Sequence, residues 1–299
     1  MARRKSPNRS SPKRAFYIRG LLWSLVIALA FGAGYQYRSW QVSREGRVVR
    51  SPVYEEKLHR EILPPKPLKT IPPPPPVSAT VLPRVVIVID DIGYHKQLAE
   101  DFIDLDVPLT FSFLPQSPHA KEMALLAHQK GKETLIHLPM EPKTFPEVDP
   151  GPGALLVAMG SEEIQTQVGK DLEGFPHIAG ANNHMGSRFT EDREKLAAVF
   201  KILKKRKLFF LDSLTTSHSA APAVGSELGI KVFHRDLFLD NVVEKEAIRL
   251  QLERLVQLAR TKGFAVGCGH PYPMTLQTLK EQLPRLKGEV QLVTLAQLM

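Results

Sequence analysis

Residues 84–299 are expected to fold as an α/β domain, a distorted (β/α) barrel of seven to eight mostly parallel strands, preceded by one transmembrane helix. Three observations carry this expectation. Short apolar runs rich in β-branched residues recur along the C-terminal part, the pattern of strands buried on both faces. Helical stretches with start and stop signals lie between most of them. A stretch of 18 uncharged residues, Gly20–Tyr37, follows a basic N-terminus.

Taken from the N-terminus, residues 1–19 form a basic tail with seven Lys or Arg side chains and no acid. At 1.5 Å per residue, the span 20–37 just crosses a hydrocarbon core of about 30 Å. Positive charge ahead of the span places the N-terminus in the cytoplasm and the main domain in the periplasm, with the inner membrane as partner. Ala28-Leu29-Ala30 offers a small-x-small cleavage site, so secretion after signal cleavage is the alternative. That triplet lies inside the apolar run, which favours an uncleaved single-pass anchor. Residues 38–83 read as a proline-rich spacer. Pro72–Pro76 favours polyproline II, which holds a domain off the membrane, and a PxxP ligand for a partner is its second reading.

The net charge of +9 suggests nucleic acid until it is located. Residues 1–84 hold 16 basic and 4 acidic side chains, and the remainder holds 24 and 27. The basicity belongs to the membrane-proximal third, where topology explains it, and nucleic-acid binding is excluded. The single Cys268 excludes a disulfide framework and any cysteine-based zinc module.

From Arg84 the strand runs are 84–90, 109–114, 133–138, 177–183, 207–212, 231–236, 264–270 and 290–295. Helices are expected over 117–131 with a Ser117 cap, over 161–174, over 190–207 from Thr190, and over 243–263. No Gly-rich phosphate loop follows the first strand. The chain reads Asp90-Asp91-Ile92-Gly93 there, and two acids repel a phosphate, so a barrel fits better than a nucleotide-binding sheet.

Barrel active sites collect at the C-terminal ends of strands. Those ends carry Asp90 and Asp91; His137 with Glu141 beyond; Asn182, Asn183 and His184; Asp212 and Ser213; His234, Arg235 and Asp236, with Asp240 beyond; and His270. Singly, each has an ordinary explanation: a packed histidine, a cap, or a turn at Asp212-Ser213. Together on one barrel they point to hydrolysis at a mononuclear divalent metal. Imidazoles with one carboxylate suit Zn²⁺ first, then Fe²⁺, Co²⁺ or Ni²⁺. Adjacent carboxylates on one strand end are expected to point apart, one ligating and one serving as base.

These residues resemble the divergent polysaccharide deacetylase family, a branch of the carbohydrate esterase superfamily that includes chitin and peptidoglycan deacetylases. The likeness covers about residues 84–299. It rests on VIDDIG (88–93), HLPMEP (137–142), NNHMGSRFT (182–190), the Asp212-Ser213 strand end and GHPYP (269–273). It implies a distorted barrel and removal of acetyl groups from an N-acetylated envelope glycan. The family's T-F-D-D-G motif implies Asp90 as base and Asp91 as metal ligand. Its H-[ST]-x-x-H motif implies His137 as ligand, but Glu141 stands at the second histidine position. The third ligand is then His184 or Glu141. His184 is preferred, with its Asn pair orienting it, and Glu141 is read as facing solvent. The L-x-H motif implies His270 as general acid. Asn183, Asp212 and Asp236 join Glu141 as residues that support the ligands or touch substrate. The R-x-P-[FY] motif is missing, which keeps a second reading open: a non-catalytic envelope protein that uses the barrel to bind glycan or a protein.

Overall fold

The computed structural model describes residues 82–299, so the basic tail, the expected transmembrane helix and the spacer up to residue 81 lie outside the described residues. Among the described residues no helix is long and apolar enough to cross a membrane. The elements run β1 (Arg84–Ile92), α1 (Lys96–Ile103), β2 (Thr110–Phe113), α2 (Ala120–Gln129), β3 (Glu133–Met140), α3 (Ser161–Asp171) and β4 (Gly180–Met185). They continue with α4 (Arg193–Lys205), β5 (Phe209–Asp212), α5 (Ala221–Leu228), β6 (Val232–His234), β7 (Leu237–Phe238), α6 (Lys245–Lys262), β8 (Phe264–Gly269), α7 (Pro273–Leu286) and β9 (Gln291–Leu292).

All eight apolar runs contain a strand, and every pairing is parallel, in the order β6-β5-β4-β3-β2-β1-β8-β7. β9 takes the β2 side of β1 below the point where β2 begins. The barrel is incomplete as a ladder, since β6 and β7 are its two edges. Only Arg235 and Asp236 separate them, and these two residues carry the chain across the gap. Arg235 N donates to Asp212 O on one side (3.0 Å), and Asp236 N donates to Val266 O on the other (2.8 Å). The wall is spanned covalently where the hydrogen-bonded ladder stops.

Alternation along each strand separates two cores. Val85, Ile87 and Ile89 face outward into the layer of helices with Phe111, Ile136 and Phe210. Val86, Val88, Leu135, Leu211, Val266 and Cys268 face inward and fill the barrel. One step further along the inward series, the residue types change from apolar to polar. Val88 is followed by Asp90, Leu135 by His137 and Cys268 by His270, while on β4 the already polar Asn182 is followed by His184, all nearly or fully buried. The period-2 pattern that packs the barrel therefore also lifts four chemical groups to its C-terminal mouth.

The bottom of the barrel is closed by the last residues. The expected strand over 290–295 shortens to β9 because Val293 and Leu295 turn into the barrel. Glu133 holds that turn: its carboxylate accepts from Thr110 Oγ1 (2.8 Å), Leu295 N (3.0 Å) and Ala296 N (2.8 Å). Glu133→Ala strands these buried donors and is expected to cost about 2–4 kcal/mol, read as a lower urea midpoint. Glu133→Gln, which keeps one acceptor, should fall between.

Two helix starts differ from the sequence expectation. Ser117 does not cap α2: its hydroxyl donates back to Leu114 O, and the helix begins three residues later. Thr190 lies in a 3-10 turn, and α4 is capped by Asp192, whose Oδ1 accepts from the backbone of Glu194 and Lys195. A carboxylate at this position adds a charge–dipole attraction that a hydroxyl lacks. On α3, Asp171 is fully buried, and burial pushes its carboxyl up to about 6, against hydrogen bonds from Gln116 and Gln167. The folded state thus holds this proton more tightly than the unfolded chain. Its stabilising effect is present below about pH 4 and is lost as pH rises through 6. Asp171→Asn should therefore gain about 2–3 kcal/mol over wild type at pH 7.5 and little at pH 4, by urea denaturation at both values.

Candidate metal centre

The site begins with a bulge in β1. Ile89 pairs with Phe111 and Ile92 with Phe113, so β1 spends one more residue than β2 over this stretch. The extra residue is absorbed at Asp91, whose φ of 56° is left-handed. Without it, Asp91 would follow the alternation outward. With it, both carboxylates reach the same imidazole: Asp91 Oδ1 lies 3.1 Å from His137 Nε2, and Asp90 Oδ1 lies 3.9 Å from His137 Nδ1. The expectation that the two acids point apart is thus corrected. The bend continues through Gly93, where a Cβ would lie 1.7 Å from Ser117 Oγ, so only glycine fits.

One amide sets the protonation of this corner. Asn182 Nδ2 donates to Asp90 Oδ1 (2.7 Å), which only accepts. That orients Asn182 Oδ1 toward His137 Nδ1 (2.7 Å), which must carry the proton, and Ser112 Oγ donates to the same oxygen. His137 Nε2 is therefore left facing Asp91 Oδ1 with a lone pair, and two acceptors at 3.1 Å repel unless positive charge lies beside them. His184 completes the group. Its Nδ1 lies 2.8 Å from Asp91 Oδ1 but outside hydrogen-bond direction, and both His184 ring nitrogens and both Asp91 oxygens are buried without a hydrogen-bond partner.

Asp91, His137 and His184 present one ligand atom each, all within 4.8 Å of one another, fully enclosed. A carboxylate and two imidazoles whose buried lone pairs lack donors fit a divalent cation. Left to themselves, the acids and imidazoles of the cluster favour each other's charged forms. Burial alone would raise the Asp91 carboxyl, but His184 and His137 outweigh it and hold the group well below the usual carboxylate range. Burial alone would lower His137, but the charges of Asp90 and Asp91 raise it. Asn182 touches a candidate ligand and the adjacent free carboxylate, so Asn182→Ala is expected to weaken Zn²⁺ binding about 10- to 100-fold. Titration against a competing chelator measures this, and an unchanged affinity would remove Asn182 from the site.

A second unit stands on the neighbouring strand. Gly269 pairs with Ile89, so His270 and Asp90 leave adjacent strands one position beyond the last shared rung. His270 Nδ1 lies 2.8 Å from Asp240 Oδ1, and Asp240 Oδ2 accepts from His270 N and Thr275 Oγ1, each at 2.7 Å. The carboxylate thereby fixes the ring and presents its Nε2. Asp240, which the sequence offers beyond the 231–236 run without a role, lies two positions past β7 on the inward series with Phe238.

The remaining expected residues are placed elsewhere. Asp236, expected near the ligands or substrate, accepts from Val266 N (2.8 Å) and pairs with Lys262; Val266 is level with Val86, four residues before Asp90. It belongs to the barrel seam. Glu141 is buried rather than solvent-facing. It accepts from Val157 N (2.6 Å), pairs with Arg188 (2.9 Å), and lies outside the ligand group, acting as a clamp for the loops beside the site. Asn183 binds Ser213 N through Oδ1 (2.9 Å) and Met185 O through Nδ2 (2.7 Å), and so does not orient His184. Asp212 holds its own turn through Leu214 N (2.9 Å), and burial raises its carboxyl. Arg235 spends its guanidinium on Ser213 O and Leu214 O while stacking 3.5 Å over Phe238.

Comparison with known proteins places the chain in a family and a fold. A family model described as divergent polysaccharide deacetylase matches residues 87–299. The chain is 34% identical over 222 residues to the uncharacterized protein YibQ of Escherichia coli (strain K12), covering 74% of this chain and 69% of that protein. It is 32% identical over 217 residues to an uncharacterized protein of Haemophilus influenzae, covering 72% and 76%. Among solved structures, uncharacterized protein ATU2773 from Agrobacterium tumefaciens C58 shares the fold with a TM-score of 0.70 at 24% identity, over 75% of this chain and 92% of that one. Since the family model matches residues 87–299, which hold all but the first three residues of the barrel and every group of the cluster, the chain belongs to the divergent polysaccharide deacetylase family.

Proposed function

We propose that this protein is a membrane-anchored, metal-dependent hydrolase that removes acetyl groups from an N-acetylated envelope glycan in the periplasm. The observation that carries the reading is the enclosed Asp91–His137–His184 cluster, with its unpartnered lone pairs, beside the Asp90 carboxylate with its unpartnered Oδ2 and a carboxylate-held histidine. A divalent cation held by those three residues supplies Lewis acidity to the acyl oxygen and lowers the pKa of water. Zn²⁺ suits the donor set first, with Fe²⁺, Co²⁺ and Ni²⁺ as competitors.

The chain's own groups then divide the proton traffic. Asp90 Oδ1 is occupied by Asn182, and Oδ2 is buried without a partner, so Oδ2 is the atom that accepts the proton of the attacking water. His270, whose ring is oriented at Nδ1 by Asp240, is the group that hands a proton to the leaving amine. The amide C–N bond breaks, giving acetate and a free amino sugar. Burial of every group strengthens these interactions by excluding water. The basic tail and the uncharged span 20–37 support placement in the inner membrane with the domain outside the cytoplasm.

The test is acetate release from chitopentaose by the full-length protein, stripped with chelator and reloaded with Zn²⁺ or Co²⁺. Metal-dependent release is expected. Stoichiometric metal without acetate from this or other acetylated glycans would favour the non-catalytic binding role instead.

A further inference from the structure

Charge is segregated along the barrel axis. Residues 85–299 hold 24 basic and 27 acidic side chains, yet one end carries a cationic cluster without matching acids. Because every strand pairing is parallel, residues just ahead of the strands share the end opposite the candidate metal centre. Lys204, Lys205, Arg206 and Lys207 close α4 ahead of β5, and Lys231 stands directly before β6; all five are exposed. β5 and β6 are neighbours, and Phe210 N donates to Lys231 O (3.0 Å), which brings the two groups side by side.

These cations are left without carboxylates. Lys204 Nζ donates to a carbonyl, Leu228 O (2.7 Å), and Lys205, Arg206, Lys207 and Lys231 make no ion pair among the described residues. Nearby acids are engaged elsewhere: Glu227 with Arg193, Asp236 with Lys262, and Asp104 and Asp106 with Lys130 and Lys132. Glu173, before β4, is one charge against five. The helix dipole accounts for Lys204 and Lys205 in the last turn of α4, as it would on any helix. It does not account for the others. The helices before β3, β6 and β8 stop on left-handed glycines, Gly131, Gly229 and Gly263, whereas α4 stops on Lys207 with a φ of 58°. Glycine is the unstrained residue at such a stop, so the backbone tolerates strain there in a chain that keeps a cation. Lys231 belongs to another element, and its Nζ lies 5.0 Å from the centre of the Phe233 ring in the inner core.

Five exposed cations spread over two connections suit an extended anionic surface better than a single small anion. The chain also enters the domain at this end: Arg84 opens β1, and the uncharged span 20–37 and the spacer precede it. We infer that this end of the barrel rests on anionic phospholipid headgroups, with the mouth of the metal centre turned away from the bilayer. The inference rests on the membrane placement above and goes beyond it, since a spacer tethers a domain without orienting it. The nine residues of β1 rise about 30 Å, so the mouth stands about that far above the headgroups, facing a polymer outside the membrane. Each cation near an anionic surface multiplies the docking equilibrium about 5-fold.

The test is amine footprinting of the full-length protein in nanodiscs of phosphatidylcholine, alone or mixed with phosphatidylglycerol, with acetylation of each lysine read by mass spectrometry. Phosphatidylglycerol is expected to slow Lys205 and Lys231 about 5- to 10-fold and to leave Lys143, just past β3 at the mouth, unchanged. Salt at about 1 M should restore the rates, because it shortens the screening length to about 3 Å. Lys207→Gly relieves the left-handed backbone, so it should keep or raise the melting temperature while removing most of the protection of Lys205. Lys205→Gln, Arg206→Gln and Lys231→Gln together should expose Lys204 equally in both lipids. Equal rates for wild type in the two lipids, or equal slowing by neutral lipid, overturns the inference. Protection by soluble polyphosphate but not by phosphatidylglycerol overturns it too, and assigns the face to an acidic polymer. Failure of the anchor reads differently: the protein then stays out of neutral nanodiscs, while added phosphatidylglycerol vesicles still slow the same lysines.

Discussion

Saturating Zn²⁺ is expected to raise the unfolding free energy of the wild-type protein by about 3–4 kcal/mol over the chelator-treated form, and His184→Ala to abolish that gain. A ligand that binds only the native state stabilises it by about 2.7 kcal/mol at 100 times its dissociation constant and about 4.1 at 1,000 times. The unfolded chain has no Asp91–His137–His184 cluster, because the three residues come from three strands and the cluster depends on the left-handed turn at Asp91. Deleting His184 leaves one imidazole and one carboxylate, too few to hold the ion against solvent. The absolute stability of the metal-free variant is a poor guide. Losing a buried ring opens a cavity, while losing two buried nitrogens without partners removes a desolvation penalty, and these effects oppose each other. The metal-dependent difference isolates the site. Chemical denaturation of both proteins, with excess Zn²⁺ and with chelator, measures it. An equal gain in wild type and variant would show that the ion binds elsewhere and would remove the cluster as the metal centre.

The barrel was legible because its signal is redundant. Runs such as 84–90 and 133–138 are buried on both faces, and a continuous apolar run bounded by helices leaves little choice of element. The site was legible for the same structural reason, since strand ends are readable wherever strands are. What escaped follows from short-range geometry. β7 is two residues long, so it carries no periodicity, and nothing in the sequence ranks Asp240 beyond it above Asp236 at the end of the preceding run. The two acids differ by four positions and only the crossing from one sheet edge to the other tells them apart. The turn of Asp91 into the site depends on a bulge that pairing with β2 imposes, and no residue preference announces it. Asn182 and Asn183 were grouped because they are adjacent. Strand alternation sends one to His137 and Asp90 and the other to the Ser213 turn. Glu141 took the place of a family histidine in sequence but ion-pairs with Arg188 in space, and the second imidazole comes from β4 instead.

Asp90→Asn should lower turnover by about 10²- to 10⁴-fold, the range of a lost general base, while the Zn²⁺-dependent gain in stability persists. The substitution is close to isosteric. The amide oxygen can take the Oδ1 position and accept from Asn182 Nδ2 as the carboxylate does, so the relay to His137 stays in place. The amide nitrogen then occupies the Oδ2 position, where the wild-type oxygen is buried and unpartnered, and a donor replaces the proton acceptor. Metal binding draws on Asp91, His137 and His184, none of which loses a hydrogen bond by this change. Asp91→Asn is the informative contrast, since it removes the shared carboxylate of the cluster and should lose metal and turnover together. Measured side by side, acetate release and metal-dependent stability separate the two neighbouring acids: one variant inactive with metal bound, the other inactive without it. If Asp90→Asn lost the metal-dependent gain as well, Asp90 would belong to the ligand set. If it kept wild-type turnover, the proton of the attacking water would have to go to another group.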